Sequence, residues 1–269
     1  MQITKLKGAK VATNQAQCIP IEVFPVLPAA PSSVAVQSVL VGEVPGVAID
    51  LVTIRGPAQF RDAGDLNHEV VWLFIGGRAV LHTRNLDYKL TEETIARAPL
   101  GWAWSIDVGA GQTLRAIRIR KELSVEDRGE LAKFAGNNAA PWIRRFLECP
   151  SYTEAIKSSK TVSRTLLPEN FVPRMAVGTV EATGPDRVGR HKHPMLEQYF
   201  IGLQGNDATV SADAVNIWFP EFSILHIPLG SMHGTEVSAE KRLYYVWLDF
   251  FATKEGQEWL TMHNPIHEK

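Results

Sequence analysis

The chain has 269 residues, 45% of them hydrophobic, and carries a formal net charge of −1. This length allows one large β domain or two domains of ordinary size, and the apolar content is sufficient for a sizeable core. Because charges of both signs are mixed along the chain, we expect neither nucleic acid nor an anionic membrane surface as a partner. Cys18 and Cys149 form no Cys-x-x-Cys motif, which argues against a disulfide framework and fits a cytoplasmic protein.

The N-terminal region shows no sign of a leader or a membrane span. Residues 1–17 contain Lys5, Lys7 and Lys10 without an apolar run after them, so no signal peptide is predicted. The longest apolar runs, such as residues 70–75, have the length of a strand rather than the roughly 20 residues of a spanning helix. Prolines at positions 20, 25, 28 and 31 predict an extended arm or a set of edge segments over residues 19–35.

Short strands separated by turn residues begin at Val34. The predicted strands of this half cover Val34–Val41, Ala48–Ile54, Val70–Ile75, Arg78–His82, Trp102–Val108 and Thr113–Ile119. Gly76 and Gly77, between two apolar runs, predict a two-residue hairpin turn. Many short strands of this kind are typical of a sandwich or a barrel.

The middle of the chain has a helical pattern, and strands return at about Thr161 and continue to Asp249. Helices are predicted from Ser124, where Asp127 completes a helix-start pattern, from Pro141, over residues 151–157, and at the end of the chain over residues 254–262. The predicted fold class is therefore all-β, with two barrels joined by a short helical linker. We place the first domain at residues 1–148 and the second at 149–269.

One segment carries three potential metal ligands. Residues 184–205 read GPDRVGRHKHPMLEQYFIGLQG. His191, His193 and Glu197 have the same parity, so on an extended strand their side chains project to one face. Pro194 predicts a local irregularity in that strand.

A second segment, residues 224–233, ends in a fourth potential ligand. Pro228 and Gly230 predict a turn that presents His233 from a neighbouring strand. Three imidazoles and a carboxylate suit one divalent transition metal, Fe(II) first, with Mn, Ni, Co, Cu or Zn as alternatives. Calcium prefers more oxygen ligands. Four protein ligands on an octahedral ion leave two positions for water, dioxygen or a bidentate substrate.

These two segments resemble the motifs of the cupin superfamily. The first cupin motif is His-x-His, a Glu three or four residues on, and a glycine turn, matched here by His191, His193, Glu197 and Gly205. The second is Pro-x-Gly-x-x-His, matched by residues 228–233. The resemblance implies a bicupin with two jelly-roll barrels, whose metal ligands are His191, His193, Glu197 and His233.

The match departs from the usual pattern at three places. The interval from Glu197 to Gly205 is one residue longer than usual, Phe222 stands where a glycine is expected, and Val237 where an asparagine is frequent. In the N-terminal half, residues 67–69 lie where a first motif belongs, but they lack His-x-His. We expect the first barrel to pack and dimerise without a metal, a second site being the alternative. Because cupins commonly bury an edge strand in a partner, the resemblance also implies a homodimer.

Several other side chains have two interpretations. His226, two residues before Pro228, is a general base or a partner of a ligand, or else a core histidine bonded to backbone. Tyr199 shares the parity of Glu197 and lines the pocket, or packs in the core. The aromatic strand at residues 241–251, which contains Asp249, lines the cavity or belongs to the core, and its facing is not fixed by the sequence. Arg174 and Arg187 bind a substrate carboxylate, or are solvated surface residues.

Three classes of function remain open. The first is an Fe(II) dioxygenase acting on a small aromatic or enolic substrate, with Tyr199, Trp218, Phe219 and Trp247 as apolar walls. Residues 247–251 and the ligand order are also similar to the metal subunit of hydroquinone ring-cleaving dioxygenases. The second is a redox-neutral lyase, isomerase or decarboxylase with His226 or Tyr199 as its general base. The third is a non-catalytic module that binds a small ligand. We predict the first.

Overall fold

A computed structural model describes residues 18–25, 33–168, 170–193 and 195–263, with side chains up to residue 258. The predictions made for residues 1–17, and for Pro28, Pro31 and Pro194, lie outside these described residues. No helix in the described part of the chain combines the length and the apolar character needed to cross a membrane.

The first half of the chain consists of short antiparallel strands. They are β1 (Ile21–Val23), β2 (Ser33–Val39), β3 (Val47–Arg55), β4 (Ala58–Asp62), β5 (His68–Gly76), β6 (Ala79–His82), β7 (Asp87–Leu90), β8 (Thr94–Arg97), β9 (Trp104–Val108), β10 (Thr113–Glu122) and β11 (Trp142–Arg145). Within the described ranges, β2 to β11 form a six-stranded sheet, β11-β8-β5-β10-β3-β2, and a four-stranded sheet, β4-β9-β6-β7. These two sheets enclose the first barrel.

The second half repeats this arrangement. Its strands are β12 (Ser151–Tyr152), β13 (Val162–Leu167), β14 (Met175–Thr183), β15 (Asp186–His191), β16 (Leu196–Gly202), β17 (Asp207–Ala212), β18 (Val215–Pro220), β19 (Ser223–Ile227), β20 (His233–Val237) and β21 (Arg242–Phe251). Over the described residues the large sheet has the order β1-β19-β16-β21-β14-β13-β12 and the small sheet β15-β20-β17-β18. These sheets enclose the second barrel, and the predicted all-β fold with two jelly rolls is confirmed.

Strand β1 belongs to the second barrel although it comes first in the chain. It pairs antiparallel with β19, with Ile21 opposite Leu225. The backbone of His226 also donates to the carbonyl of Pro20. The N-terminal arm thus supplies an edge to the distant sheet, while the predicted domain boundary at residues 148 and 149 stays a prediction.

The helical predictions were correct in two places and wrong in two. Helix α1 (Val125–Lys133) begins with Ser124 as its N-cap and Asp127 completing a capping box, and helix α2 (Lys254–His263) ends the described part of the chain. The stretch after Pro141 forms β11 and a 3-10 turn instead, because β11 pairs with β8 along its whole length. Residues 151–157 form β12 and turns. At both places pairing with a sheet edge overrides local helical spacing.

The predicted hairpin at Gly76 and Gly77 is also wrong. Strand β5 pairs with β8 and β10 in the large sheet, whereas β6 pairs with β7 and β9 in the small sheet. The chain therefore crosses between sheets at this turn. Gly77 has φ +87°, and a Cβ there would lie 1.9 Å from the carbonyl oxygen of Thr113, so only glycine fits this crossing.

The described residues form three apolar layers. One fills the first barrel, one the second, and the third lies between the two large sheets, which pack back to back. In β21, for example, Leu243, Tyr245 and Trp247 face the second barrel, while Val246 and Leu248 face the layer between the sheets. Both faces of each large sheet are therefore buried, which makes their strands apolar almost without interruption.

Candidate metal centre and cavity

Three of the predicted ligands converge at one mouth of the second barrel. His191 ends β15, His193 follows it, and His233 begins β20, directly opposite His191 in the ladder. The ring centroids are 4.8 Å apart for His191 and His193 and 4.4 Å for His191 and His233. One nitrogen from each ring can be chosen so that all three lie within 4.8 Å of one another, a spacing suited to a shared metal ion.

The tautomers of two of these histidines are fixed by backbone carbonyls. Nδ1 of His191 donates to the carbonyl of Gly189 at 2.7 Å, and Nδ1 of His233 donates to that of Ser231 at 3.0 Å. Each Nε2 is thereby left as an acceptor, and Nε2 of His233 is buried with no hydrogen-bond partner among the described residues. Burial lowers the pKa of all three imidazoles, that of His193 to about 3. Neutral imidazoles with free Nε2 atoms are what a divalent transition metal requires.

The structure does not bring Glu197 to these histidines. Its Oε2 lies 2.9 Å from Nε2 of His226, on the face of β16 that also carries Tyr199. The parity argument fails because β15 ends at His191 and β16 begins at Leu196 in the other sheet. Side-chain alternation does not continue across that connection. Within the described residues, the cluster contains no carboxylate.

His226 and Tyr199 also lie outside the cavity. Both face the layer between the two large sheets, with their ring centroids 5.1 Å apart. His226 is buried between two carboxylates, because its Nδ1 lies 3.0 Å from Oε2 of Glu43 in the first half of the chain. The predicted role as general base therefore does not fit either residue. His226 instead joins β19 to the first half of the chain through Glu43, and Tyr199 packs in the layer between the large sheets.

A cavity of about 530 Å³ opens beside the three histidines. Its polar wall includes Glu154, Lys157, Gln198 and Asp249. Lys157 forms an ion pair with Glu154, and its Nζ donates to Oγ of Ser163 at 2.9 Å. The segment that carries this pair is held against the barrel by the amide of Gly189, which donates to the carbonyl of Ile156 at 2.8 Å.

The apolar wall of the cavity comes mainly from the large sheet. It includes Leu167, Met175, Phe200, Trp247 and Phe251. Of the four residues predicted as apolar walls, Tyr199, Trp218, Phe219 and Trp247, only Trp247 lines the cavity, and the same strand also contributes Tyr245 and Phe251. Phe219 is fully buried in the barrel core, and the side chain of Trp218 is 65% exposed.

Gln198 and Asp249 face each other across neighbouring strands of the cavity wall. They are direct partners in the ladder of β16 and β21, and Nε2 of Gln198 donates to Oδ1 of Asp249 at 2.8 Å. No cation pairs with Asp249 among the described residues. Burial raises the pKa of Asp249 to about 7 in spite of the hydrogen bond from Gln198. The cavity therefore holds a carboxyl group that changes its charge near neutral pH.

Comparisons with known proteins match the architecture. No protein-family model and no curated protein matches the sequence. A Pseudomonas aeruginosa protein described as glyoxylate-induced aligns over 87% of this chain and 89% of its own, with TM-score 0.69 and 13% identity. A cupin 2 conserved barrel domain protein from Leptotrichia buccalis aligns over 86% and 97%, with TM-score 0.59 and 13% identity. The fold is that of the cupins. A mutant of the Bacillus subtilis oxalate decarboxylase aligns over 90% and 80%, with TM-score 0.60 and 14% identity.

Gln198 occupies the position at which the first cupin motif has its glutamate. The interval from Glu197 to Gly205 is one residue longer than the cupin motif expects, whereas the interval from Gln198 to Gly205 has the expected length. Position 198 also faces the cavity, whereas position 197 does not. The spacing was thus the one signal in the sequence for Gln198. No motif pointed to Glu154 or Lys157.

The first cupin barrel carries an aromatic side chain at the equivalent position. Strands β5 and β16 occupy the same place in their sheets and both end in glycine, and Trp72 and Gln198 each lie four residues before it. Trp72 is fully buried, stacked on Phe74 with centroids 6.0 Å apart and edge-on to Phe60. Its ladder partner is Arg118, where the second barrel has Asp249. Large side chains thus occupy the space that is open in the second barrel.

The two predicted carboxylate-binding arginines lie away from the cavity wall. Arg174 makes a two-point ion pair with Asp127 of α1, from Nε at 2.8 Å and from a terminal nitrogen at 2.8 Å. Arg187 is exposed on β15. Arg174 therefore joins the helical linker to the second barrel.

Proposed function

We propose that this cupin is a mononuclear metal enzyme whose ion is held by His191, His193 and His233. The proposal is carried by one observation, the convergence of three neutral imidazoles at the mouth of a cavity. The donor set suits Fe(II), Mn, Co, Ni, Cu or Zn, and the unpartnered Nε2 of His233 fits an ion as its missing partner. Fe(II) remains our first choice.

The charge of this centre supports an anionic substrate. Three imidazoles leave the two positive charges of a divalent ion uncompensated, and Lys157 is already paired with Glu154. A negatively charged carboxylate or enolate bound in the cavity would neutralise part of this positive charge, which is favourable because the site is shielded from solvent. The volume of about 530 Å³ and the apolar wall with Trp247 and Phe251 suit a small molecule with a flat apolar part.

As the reaction we propose dioxygen-dependent cleavage of a small aromatic or enolic substrate. Fe(II), when bound, would supply Lewis acidity and electrons for dioxygen chemistry. The residues of the chain then position the substrate against the apolar wall and exclude bulk water. A redox-neutral lyase, isomerase or decarboxylase is the second candidate, because Glu154 and Asp249 in the cavity wall offer groups that can hold or accept a proton.

The test begins with metal binding and continues with turnover. Metal-free protein is titrated with each of the six ions, and we expect one ion per chain in the wild type and in Glu197→Gln. We expect strongly reduced binding in His233→Ala. The Fe(II) form is then assayed for oxygen uptake with phenolic diols and enolic diketones. Turnover that persists without oxygen would favour the redox-neutral reaction, and ligand binding without any turnover would favour a non-catalytic module.

We further propose a homodimer that forms through the edge strand β2. This strand ends the six-stranded sheet, and two of its apolar side chains, Val34 and Val36, are 43% and 47% exposed. Exposed apolar edges of this kind invite pairing with another strand. Light scattering should give twice the chain mass, and Val36→Lys should shift the mass toward the monomer. A monomeric wild type refutes this assembly.

A further inference from the structure

The Gln198 side chain has one polar atom satisfied and the other unsatisfied. Nε2 donates to Asp249, whereas Oε1 is buried and has no hydrogen-bond partner among the residues that the structure describes. A buried acceptor without a donor costs free energy that a matching ligand can recover. Gln198 lines the cavity, so a ligand bound there lies beside this carboxamide.

The orientation of this carboxamide is set by Asp249. An oxygen of the Asp249 side chain accepts from the amide nitrogen, so the carbonyl end of Gln198 is directed away from it. Asp249 itself is only 4% exposed and lies on β21, the central strand of the large sheet, which pairs with β16. Within the described part of the chain, two buried acceptors on cavity-lining residues thus have no partner, Nε2 of His233 and Oε1 of Gln198. The first fits a metal ion, and the second requires a hydrogen-bond donor.

We propose that Gln198 is a specificity-determining residue that accepts a hydrogen bond from a hydroxyl or amino group of the substrate. Asp249 is the positioning residue that presents the carbonyl oxygen. The substrate class is then a small organic acid that carries such a donor close to its metal-binding group. This inference rests on the proposed function. Since an analogue without the donor leaves Oε1 unsatisfied, we expect discrimination of roughly tenfold to a hundredfold in affinity.

The test uses two ligands that differ mainly in the donor. Mandelate has a hydroxyl beside its carboxylate, and its O-methyl ether keeps that oxygen but lacks the proton. Their dissociation constants are measured by calorimetry on the zinc-loaded protein, which is redox-inert. We expect the wild type to bind mandelate at least tenfold more tightly. Gln198→Met, which keeps the length of the side chain without an acceptor, should lose this preference.

Variants of Asp249 test the positioning role. Asp249→Asn retains an oxygen that accepts from Gln198 and should preserve the preference for mandelate. Asp249→Leu removes that acceptor and should reduce the preference, while the zinc affinity stays unchanged. Thermal unfolding of each variant establishes that it is folded before its ratio of affinities is compared.

Each other outcome overturns the inference. An unchanged ratio in Gln198→Met, or a wild type that distinguishes neither ligand or binds neither, shows that Oε1 does not select a donor, while the metal site stands. A more than tenfold loss of zinc affinity in Gln198→Met makes Oε1 an ion ligand instead. If the wild type binds no metal, the proposed function fails. The affinities of the metal-free protein for mandelate and its O-methyl ether then test the role of Gln198 by themselves.

Discussion

Replacing Asp249 with asparagine should change the free energy of unfolding by an amount that depends on pH. The side chain is buried in the cavity wall, accepts one hydrogen bond from Gln198, and has no cationic partner among the described residues. Asparagine has nearly the same shape and still accepts from Gln198, but it never ionises. The difference between the two proteins therefore reports the cost of a buried negative charge.

The magnitude follows from the pKa of Asp249. Burial raises this pKa from 3.8 to about 7 in the metal-free chain, a shift of roughly 3 units, and each unit corresponds to about 1.4 kcal/mol. Below pH 4 the carboxyl is protonated in both the folded and the unfolded state, so the charge costs nothing. Between pH 4 and 7 only the unfolded chain ionises, and the folded wild type loses stability progressively. Above pH 7 the loss is complete, on the order of 4 kcal/mol.

Urea unfolding of metal-free protein between pH 4 and 8 measures this difference. We expect wild type and Asp249→Asn to be similar at pH 4, and the variant to become more stable by several kcal/mol at pH 8. Asp207→Asn is the control, because Lys241 lowers the pKa of this exposed carboxyl below its ordinary value of 3.8. Its contribution therefore changes only below about pH 4, and the difference between wild type and Asp207→Asn should stay nearly constant between pH 5 and 8. A difference between wild type and Asp249→Asn that does not grow with pH would refute the reasoning.

Three further predictions follow from single contacts. His233→Ala should lower metal affinity more than tenfold, as measured by competition with a chelating dye, whereas Glu197→Gln should not; equal losses would contradict the site. Arg97→Met should cost about 3–5 kcal/mol of unfolding free energy, because it leaves Glu69, 1% exposed, as an uncompensated buried charge; a cost below 1 kcal/mol would be inconsistent with this burial. Ser124→Ala should cost about 1 kcal/mol through loss of the capping bond to the Asp127 amide, unlike the control Ser33→Thr at a half-buried position of β2.

The sequence predicted the features that depend on local chemistry. The His-x-His pair and the Pro-x-Gly-x-x-His turn identified three histidines that do converge. Ser124 and Asp127 identified the start of α1, because a capping box needs only residues within one turn. Phe222 marked a position where glycine is usual, and it does adopt φ +51°. Each of these signals is complete within a few residues of chain.

The features that were missed depend on which sheet a strand joins. Glu197 was assigned by counting from His193, but the chain changes sheets between them, and the count then selects the wrong face. Asp249 could not be assigned to either face, because β21 is apolar on both of its buried sides. Neither the motif nor the strand alternation identified Gln198 as a site residue, because its role depends on Asp249, its ladder partner in β21.

The pairing of Ile21 with Leu225 joins residues about two hundred positions apart in the chain. An expression fragment that starts at residue 149 would retain all three histidines yet leave β19 unpaired on one side, with the backbone of Ser223–Ile227 open to intermolecular pairing. During synthesis residues 21–23 emerge about two hundred residues before the strand β19 with which they pair. Completion of the second barrel therefore depends on strands that are distant in sequence, which favours slow, late closure of that barrel during folding.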